Sequence, residues 1–393
     1  MTEQVKITDV CDFQGGTQPP KSVWKKDFQD GYIRMLQIRD FTQPEKDNVE
    51  YVPIKKTLKT CQEKDILIGR YGASVGKICT GLSGAFNVAL IKTIPNTSKI
   101  SREYLLHLLR GSTFQNFILN VGSRAAQAGF NKDDLEGFEF ALPPLNQQKK
   151  IAAILDTADA YRQKTKALID KYDELTQSLF LDMFGDTWIN PKGWKVYKIE
   201  DLAVKEKHGI KAGPFGSSLK KEFYVESGYK IYGQEQVIRD DLQYGDYYID
   251  QKKFEELESC KIGSGDILIS LVGTYGKISV VPERFEPGII NPRLMKISPN
   301  KEIIRPDFLK KLLQSSGVAV QMKNQSRGGT MDIVNVGIMK GIKVPLPPLE
   351  LQNQFAERLQ AIEAQKGQAQ ASLNKAEELF NSLLQRAFKG ELV

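Results

Sequence analysis

Two long stretches, Asn146 to Met183 and Glu350 to Phe388, repeat apolar residues at alternating steps of three and four positions. In the first the line runs through Ile151, Ile154, Ala158, Tyr161, Thr165, Leu168, Tyr172, Leu175 and Leu179. In the second it runs through Phe355, Leu359, Ile362, Lys366, Ala369, Leu373, Ala376, Phe380, Leu383 and Ala387. A period of 3.5, polar residues elsewhere and no internal proline predict helices that pack seam to seam as a coiled coil. Each stretch is the obvious partner of the other. Both follow the same phrase, Ala-Leu-Pro-Pro-Leu-Asn-Gln-Gln from Ala141 and Pro-Leu-Pro-Pro-Leu-Glu-Leu-Gln from Pro345. Proline just ahead of a helix restricts the chain without removing a helical hydrogen bond.

The proline pairs lie 204 positions apart, and similar offsets recur outside the helices, 201 at the strand phrase that opens each glycine turn and 204 again from Asn87 and Asn291 onward. Lys64-Asp65-Ile66-Leu67-Ile68 answers Gly265-Asp266-Ile267-Leu268-Ile269, and each runs into a glycine turn, Gly72 to Lys77 and Gly273 to Lys277. Asn87 to Lys92 answers Asn291 to Lys296, and short helices are expected at Arg102 to Arg110 and Pro306 to Leu313. This is an internal duplication. It predicts an α+β chain with two mixed modules in tandem, residues 1–145 and 187–349, alternating with long helices, 146–186 and 350–393. Strand-like alternation such as Tyr229-Lys230-Ile231-Tyr232 and frequent glycines support mixed modules. Two copies of one unit related by a pseudo-dyad make the helices antiparallel. A helix over residues 146–183 is roughly 57 Å long, enough to space two readers by one to two turns of DNA. The repeat fades in the first ~60 residues of each module, where Gly15-Gly16-Thr17 and Gly213-Pro214-Phe215 begin divergent stretches. One scaffold carrying two different surfaces suits two readers of different targets.

Composition narrows the classes. A chain of 393 residues with 41% hydrophobic and 26% charged content suits a globular protein of two or more domains. No apolar run reaches the ~20 residues of a membrane span, and the N-terminus lacks a secretory pattern, so a cytosolic protein is expected. Cys11, Cys61, Cys79 and Cys260 stand far apart and read as buried free thiols. The net charge of +7 permits a polyanionic partner without requiring one.

The tandem module–helix order, the repeated Pro-Pro-Leu phrase with Gln147-Gln148 and Gln352, and the two glycine turns resemble the specificity subunit of type I restriction–modification systems. Gly193-Trp194-Lys195 followed by Ile199 to Leu202 resembles the opening of that family's modules, and Gly228 to Val237 is similar to a common early strand of them, although the first module lacks the tryptophan opening. The resemblance implies two target recognition domains, each reading half of a bipartite double-stranded DNA site. It also implies that the helices dock two methyltransferase subunits and that a motor-nuclease subunit completes an ATP-dependent enzyme. S-adenosylmethionine, ATP and magnesium would then belong to the partner subunits, and this chain would hold no cofactor.

Catalytic signatures are missing from the sequence. The only histidines are His107, on an apolar helix, and His208. Gly72 to Lys77 has three residues between its glycines and Ile78 after the lysine, so it fails as a phosphate loop. Asn291-Pro292-Arg293 is not the Asn-Pro-Pro-aromatic motif of amino-methyltransferases, which disfavours a self-contained methyltransferase. For DNA contact, Arg and Lys suit phosphate and guanine, and Asn and Gln suit adenine. The candidates in the first module are Lys21, Lys25, Lys26, Arg34, Gln37, Arg39, Arg70, Tyr71, Arg124 and Gln127. In the second they are Lys211, Ser217, Ser218, Lys220, Lys221, Tyr232, Gln234, Gln236, Arg239, Tyr275, Arg293 and Arg327. Any one of them taken singly reads better as a solvated surface group, and the DNA reading rests on their clustering near the glycine turns and the divergent stretches. The seam is assigned to Ile151, Ile154, Tyr161, Leu168, Leu175 and Leu179 against Phe355, Leu359, Ile362, Leu373, Phe380 and Leu383. A non-enzymatic adaptor that spaces two protein partners remains the alternative.

Overall fold

The computed structural model describes residues 3–44, 46, 48–122, 129–206, 208–271, 277–325 and 335–392. The chain divides into two compact units, Met1–Ala167 together with Ala369–Val393, and Leu168–Gln368.

Both units follow one plan. In the first, β1 (Glu3–Lys6) pairs antiparallel with β10 (Glu139–Leu142). An antiparallel sheet runs β2 (Cys11–Gly15), β9 (Leu90–Pro95), β6 (Leu67–Gly69), β7 (Ile78–Cys79). A second sheet runs β4 (Tyr51–Pro53), β3 (Tyr32–Leu36), β8 (Gly84–Phe86), β5 (Thr60–Cys61), with β3 and β8 parallel. In the second unit β11 (Lys195–Lys198) pairs with β20 (Lys343–Leu346). Its first sheet runs β12 (Ile210–Ala212), β19 (Leu294–Ile297), β16 (Ile267–Ser270), β17 (Ile278–Val280). The other runs β13 (Tyr224–Val225), β15 (Tyr248–Ile249), β14 (Tyr229–Tyr232), β18 (Gly288–Ile290), with β14 and β18 parallel. The duplication seen in the sequence is therefore a duplication of strand pairing.

The helices repeat as well. A buried single turn follows the first strand of each unit, α1 (Ile7–Val10) and α6 (Ile199–Leu202). A short helix follows each parallel strand, α2 (Ile38–Thr42) and α7 (Gln234–Arg239), and α8 (Gln251–Glu256) adds to the second unit. The expected short helices are α3 (Arg102–Arg110), capped by the Ser101 hydroxyl, and α9 (Pro306–Leu313), with proline in its first turn. Each leads into another helix, α4 (Ser112–Gly122) or α10 (Ser316–Gln325), and α11 (Val336–Gly341) precedes β20. The first glycine turn joins β6 to β7 with Gly72 and Gly76 at φ 57° and 79°, conformations that favour glycine. The glycines of the second turn, Gly273 and Gly276, lie outside the described residues.

The long helices are α5 (Leu145–Phe184) and α12 (Leu349–Lys389). The Pro-Pro-Leu phrase has a physical role at both starts. Gln148 and Gln352 are fully buried. The Gln148 Oε1 accepts from the Ser101 N–H at 2.8 Å, and its Nε2 donates to the carbonyls of Lys99 and Pro143. The Gln352 Oε1 accepts from the Arg305 N–H at 2.9 Å, and its Nε2 donates to the carbonyls of Ile303 and Pro347. One amide thus fastens each long helix to the loop that opens α3 or α9.

Within the first unit Ile151, Ala152 and Leu155 of α5 pack with Phe380, Leu384 and Ala387 of α12. Within the second, Phe180 and Phe184 pack with Phe355, Leu359 and Phe308. The two helices therefore run antiparallel within each unit. For α12 the buried line is the predicted one, Phe355, Leu359, Ala369, Leu373, Ala376 and Phe380, with Ile362 and Leu383 partly buried. For α5 four of the six assigned seam residues need correcting. The column Ile151, Ala158, Thr165, Tyr172, Leu179 is buried or half-buried, but its companion is Leu155, Arg162, Ile169, Thr176. The predicted companions Ile154, Tyr161, Leu168 and Leu175 are exposed by 38, 55, 43 and 49%. One residue on a helix is ~100° of rotation, which takes those four side chains off the seam. Tyr161 still reaches across with its hydroxyl, 2.8 Å from the Ser372 Oγ.

Candidate nucleic-acid interface

In the first unit the loop before β3, the turn after it and the residue before β4 converge. Glu50 receives the Lys21 Nζ at 3.2 Å, the Gln37 Nε2 at 2.8 Å and the Arg39 guanidinium. Burial opposes the Glu50 charge, yet hydrogen bonds from Gln37 and Lys21 and the charges of Lys21 and Arg39 hold its carboxyl below the usual glutamate range. Beside it Asp40 caps α2 by accepting from the Gln37 N–H at 2.7 Å and binds the Arg34 Nη2 at 3.0 Å. The Nε atoms of Arg34 and Arg39 are buried without a partner among the described residues. Lys21 also lies over the Trp24 ring, 3.7 Å from its centre. Four predicted residues, Lys21, Arg34, Gln37 and Arg39, are thus one constellation. Lys25 and Lys26 extend it as exposed side chains.

The same strand–turn unit can be superposed on the second through its pairing. Arg34 lies opposite Tyr51 and Lys230 opposite Tyr248, so Glu50 corresponds to Tyr247. Counting from the first helical residue, Arg39 corresponds to Glu235 and the capping Asp40 to Gln236. The cap is kept, since the Gln236 Oε1 accepts from the Gly233 N–H at 3.0 Å. The outward chemistry is replaced.

Two predicted DNA contacts are corrected by this geometry. Tyr232 is buried and donates its hydroxyl to the Glu286 carbonyl at 2.7 Å, and Gln236 is buried by its capping role. Arg34 corresponds to Lys230, whose side chain is 1% exposed and whose Nζ meets the Glu286 carboxylate at 2.7 Å and the Gln243 carbonyl at 2.9 Å. Gln234 is half-buried, with its Nε2 2.7 Å from the Ser270 Oγ. Arg239 is exposed and lies over Tyr244, 4.2 Å from the ring centre. Ser217, Lys220 and Lys221 are exposed and Ser218 half-exposed on two tight turns next to Phe215, while Lys211 lies on β12. Arg293 is exposed beside Asn291.

Each divergent stretch begins at a glycine pressed on the asparagine loop of its own unit. A Cβ on Gly16 would sit 2.0 Å from the Asn87 carbonyl oxygen, and one on Gly213 would sit 1.9 Å from that of Asn291. Arg70 joins this loop in the first unit. Its guanidinium donates to the Phe130 and Val88 carbonyls and to the Asn131 side chain at 3.0 Å, so it ties loops together, and Tyr71 beside it is exposed. Arg124, Gln127, Tyr275 and Arg327 lie outside the described residues.

The remaining reactive groups are structural. All four cysteines are free and buried, and burial pushes the Cys11 thiol up to about 12 and those of Cys61 and Cys79 to about 11. His107 is buried, with its Nε2 2.7 Å from Asp156 on α5. Glu50, Asp40, Glu286 and Asn131 were missed by sequence reasoning, which searched for donors; an acid beside Tyr51 or Tyr248 carries no local signal.

Residues 2–172 and 191–378 match the type I restriction modification DNA specificity domain. The chain belongs to this family. It is 24% identical over 380 residues to the type I restriction enzyme MjaVIII specificity subunit of Methanocaldococcus jannaschii, an alignment covering 92% of this chain and 86% of that one. It is 23% identical over 368 residues to the type I restriction enzyme EcoBI specificity subunit of Escherichia coli, covering 84% and 74%. The fold is that of the type I restriction-modification system S subunit from M. genitalium, with a TM-score of 0.55, 15% identity and coverage of 99% and 96%. A chain from a type I R-M system, described for its complex assembly and conformational transition, gives a TM-score of 0.57 at 17% identity, covering 100% and 98%.

Proposed function

We propose that this chain is the DNA-recognition subunit of a type I restriction–modification complex and that each unit reads one half of a bipartite site. The observation that carries the reading is one strand–turn scaffold holding Arg39 and Glu50 in one unit and Glu235 and Tyr247 in the other. Direct readout needs such different donor and acceptor sets on a common frame. Residues 1–145 and 187–349 are assigned as the readers, and 146–186 and 350–393 as the spacers that set the gap. A helix of 40 residues is about 60 Å long, a suitable length for a spacer.

The chain contributes recognition, and chemistry belongs to its partners: two methyltransferase subunits with S-adenosylmethionine and, where present, motor-nuclease subunits with ATP and magnesium. The exposed column of α5 supports protein docking. In the first unit Ile154 and Tyr161 border a groove of about 610 Å3 with Ala376, Leu379 and Leu383. The site of action is the cytoplasm, where chromosomal DNA and these partners meet.

The test is a methylome of cells carrying this chain with its methyltransferase, against cells lacking this chain. The expected result is a split motif methylated on both strands only when the chain is present. An unchanged methylome, with the two proteins folded and associated, would leave the chain as a protein adaptor.

A further inference from the structure

We propose that Glu50 is the positioning residue of the first unit's base-reading cluster: it aims Arg39 and Gln37 at the half-site and offsets the charges of Arg39 and Lys21, so that base identity decides binding. The inference rests on the DNA-recognition reading above and names a residue which that reading does not require. Three features carry it. Glu50 holds donors from two separate segments, Lys21 on one side and Gln37 and Arg39 on the other. The side chains it holds stay available, at 63% exposure for Lys21 and 39% for Arg39, while the carboxylate itself is recessed at 19%. The second unit has Tyr247 and Glu235 at the positions of Glu50 and Arg39, so this pair is no part of the common frame.

An unrestrained arginine on a surface loop binds phosphate at any sequence. With its Nη2 held by Glu50 and its Nε buried, the planar guanidinium presents its Nη1 edge in a fixed orientation, the condition for a directed contact with a guanine acceptor. Gln37, held through its Nε2, leaves its Oε1 as the acceptor it can offer. Removing the carboxylate charge frees a further positive charge for phosphates and steepens the salt dependence of binding.

The experiment uses the full complex with its methyltransferase and three duplexes: the intact bipartite site, one with the first unit's half-site scrambled, and one with the other half scrambled. Glu50→Gln keeps the shape and removes the charge. The expected result is roughly a tenfold loss of discrimination against the first scramble, the size of one good base contact, with discrimination against the second unchanged. Affinity for the scrambled duplex should rise, and the salt slope should become steeper. A variant that discriminates like wild type overturns the proposal, as does equal loss on both half-sites, which marks a structural role. If Glu50→Gln fails to fold, Arg39→Lys keeps the charge and removes the fork. It should lose the same half-site, and unchanged discrimination overturns the proposal. A wild-type complex that ignores both scrambles refutes the DNA-recognition reading itself, a result distinct from these.

Discussion

The two units keep one kind of polar residue and exchange another. Gln148 and Gln352 are buried, each closes three hydrogen bonds, and the bonds match one for one. Arg39 and Glu50 are replaced by Glu235 and Tyr247 on matching backbone. A buried amide must satisfy fixed backbone partners, so its identity follows from the fold. An outward side chain answers to whatever it meets outside. The comparison separates positions fixed by the fold from positions that are free to differ between the units.

The scaffold half of that comparison breaks most visibly at the glutamines. Replacing Gln148 or Gln352 by Leu strands one N–H and two carbonyls in the interior, and about 3 kcal/mol is the expected loss of stability in either unit. Urea unfolding of each variant checks this. Losses differing by more than about 2 kcal/mol would mean that the two fastenings are not equivalent.

A smaller effect is expected where the units differ inside. Lys230 takes the place of Arg34 but is buried and paired with Glu286. Glu286→Ala leaves that ammonium with the Gln243 carbonyl alone. The expected cost is about 2 kcal/mol, below the usual range for a fully buried pair because the Glu286 side chain is half exposed. Asp40→Asn in the first unit, which keeps a side-chain oxygen to cap α2, should cost less, since Arg34 remains partly hydrated. The reverse order in thermal unfolding would contradict this reading of Lys230.

Lys311 offers a pH test. Burial pushes its ammonium below the usual lysine range, against the opposing charges of Glu363 and Asp173. A lysine depressed in the folded state binds fewer protons there than when unfolded, so this group's contribution to stability rises with pH between its folded titration point and the ordinary lysine value. Lys311→Met should therefore be more stable than wild type near pH 7, by about 1 kcal/mol, with the advantage shrinking toward pH 10. Urea midpoints at the two pH values check the sign.

Legibility followed the same division. The helices, their limits to within a residue or two, the short helices at Arg102 and Pro306 and the duplicated frame were all readable, because periodicity and repeated phrases record backbone demands. Tyr232 and Gln236 were misread as readers because a polar side chain does not declare which way its strand or helix turns. In α12 every bulky apolar residue of the repeat faces inward or partly inward, and the exposed Leu379 lies outside the repeat. In α5 the buried column contains Arg162, Thr165 and Thr176, while larger apolar residues stand one position away. The stronger apolar signal belonged to the surface.

That surface column yields the smallest folding effect and the sharpest contrast between the helices. Leu175 is 49% exposed, and its neighbour Thr176 occupies the seam. Leu175→Ser should change folding stability by no more than about 0.5 kcal/mol, as expected of a surface position. Among the described residues the Thr176 hydroxyl has no hydrogen-bond partner, and Thr176→Val should stabilise the seam by a comparable amount. If the α5 column is a docking ridge, Leu175→Ser weakens association with the methyltransferase while leaving the isolated chain intact. Calorimetric titration of the two purified proteins reads that loss directly, and about tenfold corresponds to one apolar anchor of this size. Equal association of the wild type and Leu175→Ser would remove Leu175 from the docking surface, and a large loss of stability would return it to the seam.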